Sequence, residues 1–167
     1  MTIHIAPDGT VYRLRSWEER AAPGEALAVA IGWAYVEGVE VVGVEITGAD
    51  LSGRSVEESW RKVFDGAVTQ VLAEHPEWAG LPRPRMTRLK VTSSQGSKQA
   101  RGSQMHADYE RPGRIVHVVG DHTTLEAALA RAFVVKPFDL ADAAYWAWAD
   151  LRGRGQGVAV SAAAREI

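Results

Sequence analysis

Between Gly38 and Thr47 the chain runs Val39-Glu40-Val41-Val42-Gly43-Val44-Glu45-Ile46. This stretch is dominated by β-branched residues and does not alternate apolar with polar. It therefore predicts a strand covered on both faces, as in the middle of a parallel sheet. A sheet buried on both sides needs helices on both sides, and the flanking sequence supplies them. Pro23 and Gly24 open a predicted helix to about Glu37, with Leu27, Ile31 and Tyr35 at four-residue spacing, Val36 nearby and Gly38 as its stop. After a polar loop, Ser55 with Glu58 three residues later makes a capping box. The helix it predicts ends near His75-Pro76, and Trp60, Val63, Phe64, Val68, Val71 and Leu72 form its apolar stripe.

The remaining elements continue the alternation. Thr2 to Trp17 reads as an antiparallel hairpin around Pro7-Asp8-Gly9, since Asp-Gly adopts the positive φ angles of tight turns. Beyond Leu81-Pro82-Arg83-Pro84 come a strand from about Met86 to Thr92, a helix from about Lys98 to Tyr109, and a strand from Arg114 to Val119. Thr123 or Thr124 then caps a short helix through Ala132, and a last helix spans about Asp139 to Leu151. Residues 153–167 are small and polar and are expected to be a frayed, flexible tail, leaving 1–152 as the folded unit. The fold class is α/β, with an antiparallel edge supplied by the first hairpin. A length of 167 residues, 46% of them hydrophobic, suits one domain with one core.

The absence of cysteine excludes disulfides, thiolate metal sites and cysteine nucleophiles, so any metal must be held by oxygen or imidazole. The net charge of −2 conceals a basic stretch. Arg83, Arg85, Arg88, Lys90, Lys98 and Arg101 occur with no acid between them, which suits either a phosphate backbone or an ordinary solvated surface. No apolar run approaches the roughly 20 residues of a membrane span, and the N-terminus lacks a signal-peptide pattern. The expected location is the cytoplasm.

The most informative stretch is Ser94-Gln95-Gly96-Ser97-Lys98-Gln99-Ala100-Arg101, followed by Tyr109-Glu110-Arg111-Pro112-Gly113-Arg114-Ile115-Val116-His117, then Leu125-Glu126, then Asp139-Leu140-Ala141-Asp142-Ala143-Ala144-Tyr145-Trp146-Ala147-Trp148. These pieces resemble, in order and over roughly 55 residues, the nuclease part of phage terminase large subunits. There a Gly-Lys-x-x-Arg loop opens a helix ending in Tyr-Glu-x-Gly-Arg-Val, and an Asp-x-x-Asp-Ala signature precedes an aromatic, Ala-rich helix. Val41 to Gly48 is similar to the family's strand ending in a catalytic acid. The likeness spans about residues 2–152 and is weaker before Ser94.

The resemblance implies a ribonuclease H-like mixed sheet and a DNA endonuclease for packaging viral DNA, working on double-stranded DNA with Mg²⁺ or Mn²⁺. Two such ions, about 3.5–4 Å apart, would orient the attacking water and stabilise the leaving oxygen. Hard cations call for carboxylates, and Glu45 and Asp139 are the implied ligands, with Asp142 as a supporting acid. Lys98, Arg101 and Arg114, together with Arg88 and Lys90, are the implied DNA contacts. Each has a plainer reading. Glu45 could be a solvated strand end, although Glu40 and Glu45 have opposite parity and cannot share a face. Asp139 could be only a helix cap, Asp142 a first-turn acid favoured by the helix dipole, and the basic residues ordinary surface charge. Asp108 and Glu110 read as surface acids, Trp146 and Trp148 as core or interface, and the histidines show no metal-ligand spacing.

The family's fold begins with a central strand ending in an aspartate, its first metal ligand, and nothing before Thr2 matches that strand. The family's ATPase motor motif is also missing. The expected partner is therefore an upstream ATPase polypeptide or another terminase subunit that completes the site. The alternative is a non-catalytic DNA-binding or assembly module.

Overall fold

A computed structural model describes residues 2–5, 10–45, 53–89, 97–118, 120–131, 139–154 and 158–163. Six strands form one sheet: β1 Thr2–Ile5, β2 Val11–Ser16, β3 Val41–Glu45, β4 Arg85–Leu89, β5 Ile115–His117 and β6 Val158–Ala163. The helices are α1 Pro23–Glu37, α2 Gly53–Glu74, α3 Lys98–Tyr109, α4 Thr123–Arg131 and α5 Asp139–Arg154, with a 3-10 turn at Pro76–Trp78. The chain is a mixed α/β protein with the strand order β4-β3-β6-β1-β2-β5. β1 is antiparallel to both of its neighbours, while the other pairings are parallel, so every strand except β1 points the same way.

All five residues of β3 are buried, as the β-branched run requires. Val42 and Val44 face α1 and α2, in a core with Leu27, Ala30, Ile31, Ala34, Phe64, Val68 and Val71. The other face of the sheet is covered by α3, α4 and α5, whose core gathers Leu89, Met105, Leu125, Leu140, Ala144, Trp146, Trp148 and Leu151. The α1 stripe forms as its spacing predicts, but Val36 is 56% exposed, because one residue beyond Tyr35 the helix has turned about 100° away from the core. α2 begins at Gly53, two residues before Ser55. Among the described residues no helix is long and apolar enough to cross a membrane.

Two expectations are corrected. The β1–β2 pair is antiparallel but does not form the sheet edge, because β5 adds in parallel to β2 with Val11, Tyr12 and Arg13 abreast of Ile115, Val116 and His117. β2 has buried residues at Val11 and Arg13 and still offers a free edge for β5 to pair with. Nor are residues 153–167 all tail. α5 continues to Arg154, and Val158–Ala163 lies third in the sheet, parallel to β3 and antiparallel to β1. β3 and β1 each have an edge that must be paired, and a Val/Ala/Ser strand is slim enough to fit between two helical layers. The turn expected at Pro7-Asp8-Gly9 lies outside the described residues.

Gly38 ends α1 in the left-handed region, at φ 67° and ψ 32°, with its N–H directed to the carbonyls of Ala34 and Tyr35. A Cβ there has room but must adopt that backbone conformation. Gly38→Ala is expected to cost about 1 kcal/mol, read as a lower urea midpoint with an unchanged slope. An unchanged midpoint would show that the helix end relaxes at no cost.

Candidate functional site at the carboxyl edge of the sheet

With five strands pointing one way, their last residues share an edge: Ser16, Glu45, Leu89, His117 and Ala163. In α/β sheets this is the edge where ligands bind, because the connecting loops and the helix N-termini gather there. Glu45 closes β3. It is 8% exposed, and it alternates with Val44, so it stands on the α5 side of the sheet. Leu89, abreast of Glu45 on β4, belongs to the same core as Leu140 of the first turn of α5.

The start of α5 reaches this edge for a geometric reason. Only residues 155–157 separate Arg154 from Val158, so α5 ends near where β6 begins, at the opposite edge. Sixteen helical residues span about 24 Å and six strand residues about 20 Å. α5 therefore returns along β6 and places Asp139 and Asp142 at the carboxyl edge, on the face that holds Glu45. Asp139 is half-buried, and Asp142 is 2% exposed. The topology thus puts the three acids that the sequence singled out on one face of one edge, without gathering them into a single metal-ligand group.

The basic residues divide. Lys98 and the backbone of Arg101 lie in the first turn of α3, whose N-cap Ser97 accepts a hydrogen bond from the Ala100 N–H at 3.2 Å. α3 follows β4, so this turn is reached from the same edge. Arg114 precedes β5 and sits at the opposite edge, where its carbonyl accepts from the Val11 N–H. Arg88 is abreast of Val44 and so stands on the α2 side of the sheet, away from Glu45. Lys90 and the side chains of Lys98 and Arg101 lie outside the described residues.

The donors suit a hard cation in kind but not in number. Carboxylates at one edge and a complete lack of cysteine favour Mg²⁺ or Mn²⁺ over softer metals. Among the described residues, however, no three His, Asp or Glu side chains converge as a metal-ligand group. Residues 46–52, 90–96 and 132–138, which adjoin these elements in sequence, are not described.

Sequence reasoning missed a second polar cluster, farther along the same face. Arg13 of β2 is fully buried; its Nη2 donates to Met105 Sδ at 3.0 Å, and its Cζ lies 5.1 Å from the Tyr109 ring centroid. Burial pulls the guanidinium down to about 10 and pushes the Tyr109 phenol up to about 12. The Tyr109 hydroxyl is 2.9 Å from His117 Nε2, and His117 Nδ1 is 2.8 Å from Glu126 Oε1. A carboxylate only accepts, so Nδ1 carries the proton and Nε2 accepts from the tyrosine. The His122 ring lies 5.0 Å from that of His117, tilted by 47°, and bonds the Val118 carbonyl through Nε2. These contacts tie α3, β5 and α4 together. No residue spacing signals them, because they join Tyr109, His117 and Glu126 across three elements.

Burial lowers the His117 pKa below its ordinary value, aided by Arg13 and His122 and opposed by the Glu126 hydrogen bond. The unfolded chain therefore takes up this proton first. The contribution of His117 is complete above the ordinary value of about 6.5 and is lost as pH falls from there through the lowered one. His117→Gln should flatten that limb of the pH–stability curve, measured by urea unfolding between about pH 5 and 8. An identical limb in the variant would assign the acid sensitivity to other groups.

Asp108 is a further correction. Read as a surface acid, it is 5% exposed: it accepts from Trp148 Nε1 at 2.9 Å and pairs with Arg152 of α5. Trp146 and Trp148 are buried, and Glu110 is exposed. On the opposite face, a cleft of about 490 Å³ between β2 and α1 is lined by Ser16, Trp33, Glu37 and Asp121. Its Arg15 is engaged with Glu37 at 2.7 Å, which leaves acids as the prevailing charge and makes it a poor phosphate site. Comparison with protein-family models, curated proteins and solved structures finds no match for this chain.

Proposed function

We propose that this chain is the nuclease component of a viral DNA-packaging terminase, with a ribonuclease H-like sheet, hydrolysing phosphodiester bonds of double-stranded DNA at the carboxyl edge. What supports the reading is that Glu45 and the first turn of α5, nearly a hundred residues apart in sequence, share one face of one edge of the sheet. Glu45 and Asp139 would hold a divalent cation, and Asp142 would support them. A bound Mg²⁺ or Mn²⁺ supplies polarisation of the phosphoryl oxygen and a more acidic water. The start of α3, with Lys98, offers backbone N–H groups and positive charge to the DNA backbone. Two carboxylates are enough for Mg²⁺ when phosphate oxygens and water complete its shell. A second cation would need a further acid, which an upstream ATPase polypeptide or another terminase subunit could bring.

The lack of a three-acid group among the described residues favours a second reading, a DNA-binding or assembly module that does not cut. Plasmid nicking separates the two. Under the first reading, supercoiled DNA is nicked only with Mg²⁺ or Mn²⁺. Glu45→Ala or Asp139→Ala then lowers the rate by about 100-fold or more, since even groups behind a ligand are worth 10–100-fold. Salt-sensitive DNA binding without nicking, in the presence of the upstream polypeptide, would establish the module instead.

A further inference from the structure

We infer that the cleft between β2 and α1 is a binding site for a small organic cation with an apolar body, of the arylalkylamine class. Its volume of about 490 Å³ falls in the roughly 300–1,000 Å³ range of small-molecule sites. Leu14, which packs against the α1 and α2 core, and Val118, just beyond β5, give it an apolar floor, and both are only half-buried. Trp33 of α1 supplies an aromatic wall. The Arg15 guanidinium lies 5.7 Å from the Trp33 ring centroid, and its Nε donates to Glu37 Oε1 at 2.7 Å. This pair closes one side of the cleft and neutralises its own charge.

The polar end presents acceptors. His122 Nε2 donates to the Val118 carbonyl at 2.9 Å, so in the neutral ring Nδ1 is an acceptor, and the Ser16 hydroxyl donates to it at 3.4 Å. With its proton used there, Ser16 Oγ offers lone pairs. Asp121 stands beside it, its carbonyl oxygen 3.5 Å from Ser16 Oγ. Gly120 makes that approach possible, because a Cβ there would come within 3.3 Å of the Leu14 carbonyl oxygen. Hydrogen bonds from Thr123 hold the Asp121 carboxyl below the ordinary carboxylate range, so it is ionised at neutral pH. With Arg15 engaged by Glu37, Asp121 is the uncompensated charge among the described lining residues.

Acceptors and a negative charge at one end, and an apolar floor with an indole wall at the other, are complemented by an N–H-rich cation joined to a ring. Anions are repelled, and a neutral ring leaves the carboxylate without a partner. Asp121 is exposed, so solvent screens its attraction, and the apolar body must contribute a large share of the affinity. Both parts of the ligand are therefore needed. The cleft lies on the face of the sheet opposite Glu45, and none of this depends on whether the carboxyl edge cleaves DNA.

Three probes separate the contributions: phenethylamine, which has ring and charge, 2-phenylethanol, which has the ring alone, and butylamine, which has the charge alone. Each is titrated into the full-length ¹⁵N-labelled chain and followed by two-dimensional NMR. The expected result is saturable shifts of the Trp33 indole and Gly120 amide signals, with phenethylamine at least about fivefold tighter than either of the others. Asp121→Asn keeps an acceptor for the Thr123 N–H and removes the charge. It should weaken phenethylamine by about fivefold and leave 2-phenylethanol unchanged. Trp33→Leu keeps an apolar side chain against the core and should weaken both ring-bearing probes. The inference is overturned if phenethylamine gives no saturable shift below about 10 mM, or if its shifts map away from the cleft. Equal affinity for either of the other probes, or no loss in Asp121→Asn, overturns it as well.

Discussion

Removing residues 155–167 is expected to abolish cooperative unfolding, leaving a chain that is largely unfolded or aggregated at room temperature. If those residues were a frayed tail, their removal would change stability by a few tenths of a kcal/mol. As β6 they supply both ladders that join the sheet's halves, and their loss leaves the inner edges of β3 and β1 without partners. A domain of this size is stable by about 5–15 kcal/mol in all, and a central strand's share is comparable with that total. Thermal unfolding followed by circular dichroism, with light scattering for aggregation, checks it. A truncated chain that melts within a few degrees of the intact one would show that 158–163 contribute nothing to the sheet.

Asp108→Ala should lower stability by about 3 kcal/mol, or roughly 10 °C in Tm at this chain length. The carboxylate accepts from the Trp148 indole in the interior and pairs with Arg152, so both ends of α5's last turns lean on one side chain of α3. Truncation leaves a buried indole N–H with no acceptor, which accounts for most of the loss. Arg152 adds less, because its side chain is 47% exposed and solvent screens it. Asp108→Asn keeps an acceptor for the indole and should cost only about 1 kcal/mol. Equal losses in the two variants would mean that the charge on Arg152, not the indole bond, dominates.

The contrast between Asp108 and Glu110 shows where reading a sequence stops. Asp108 lies in the last turn of the polar helix α3 and Glu110 caps it, and both look like surface acids. Only the position of Trp148, forty residues on and delivered by α5, makes one of them an interior acceptor. Tyr109, His117 and Glu126 are similar: ordinary residues at uninformative spacing until α3, β5 and α4 pack together.

Local physics settled a good deal from the amino acids alone. The β-branched run from Val39 dictates a strand covered on both faces, because so many unrelieved apolar side chains cannot face water. The stripes on α1 and α2 dictate which helix faces are buried, and Gly38 dictates where α1 ends. The lack of cysteine restricts metal chemistry to oxygen and nitrogen ligands. Tertiary structure alone decided that Val158–Ala163 is the central strand and not a tail. A slim Ala/Val/Ser segment has little strand signal of its own; its place is set by the unpaired edges of β1 and β3, which come from parts of the chain more than a hundred residues away. That insertion also fixes the direction of α5, and so carries Asp139 and Asp142 to the edge where Glu45 stands.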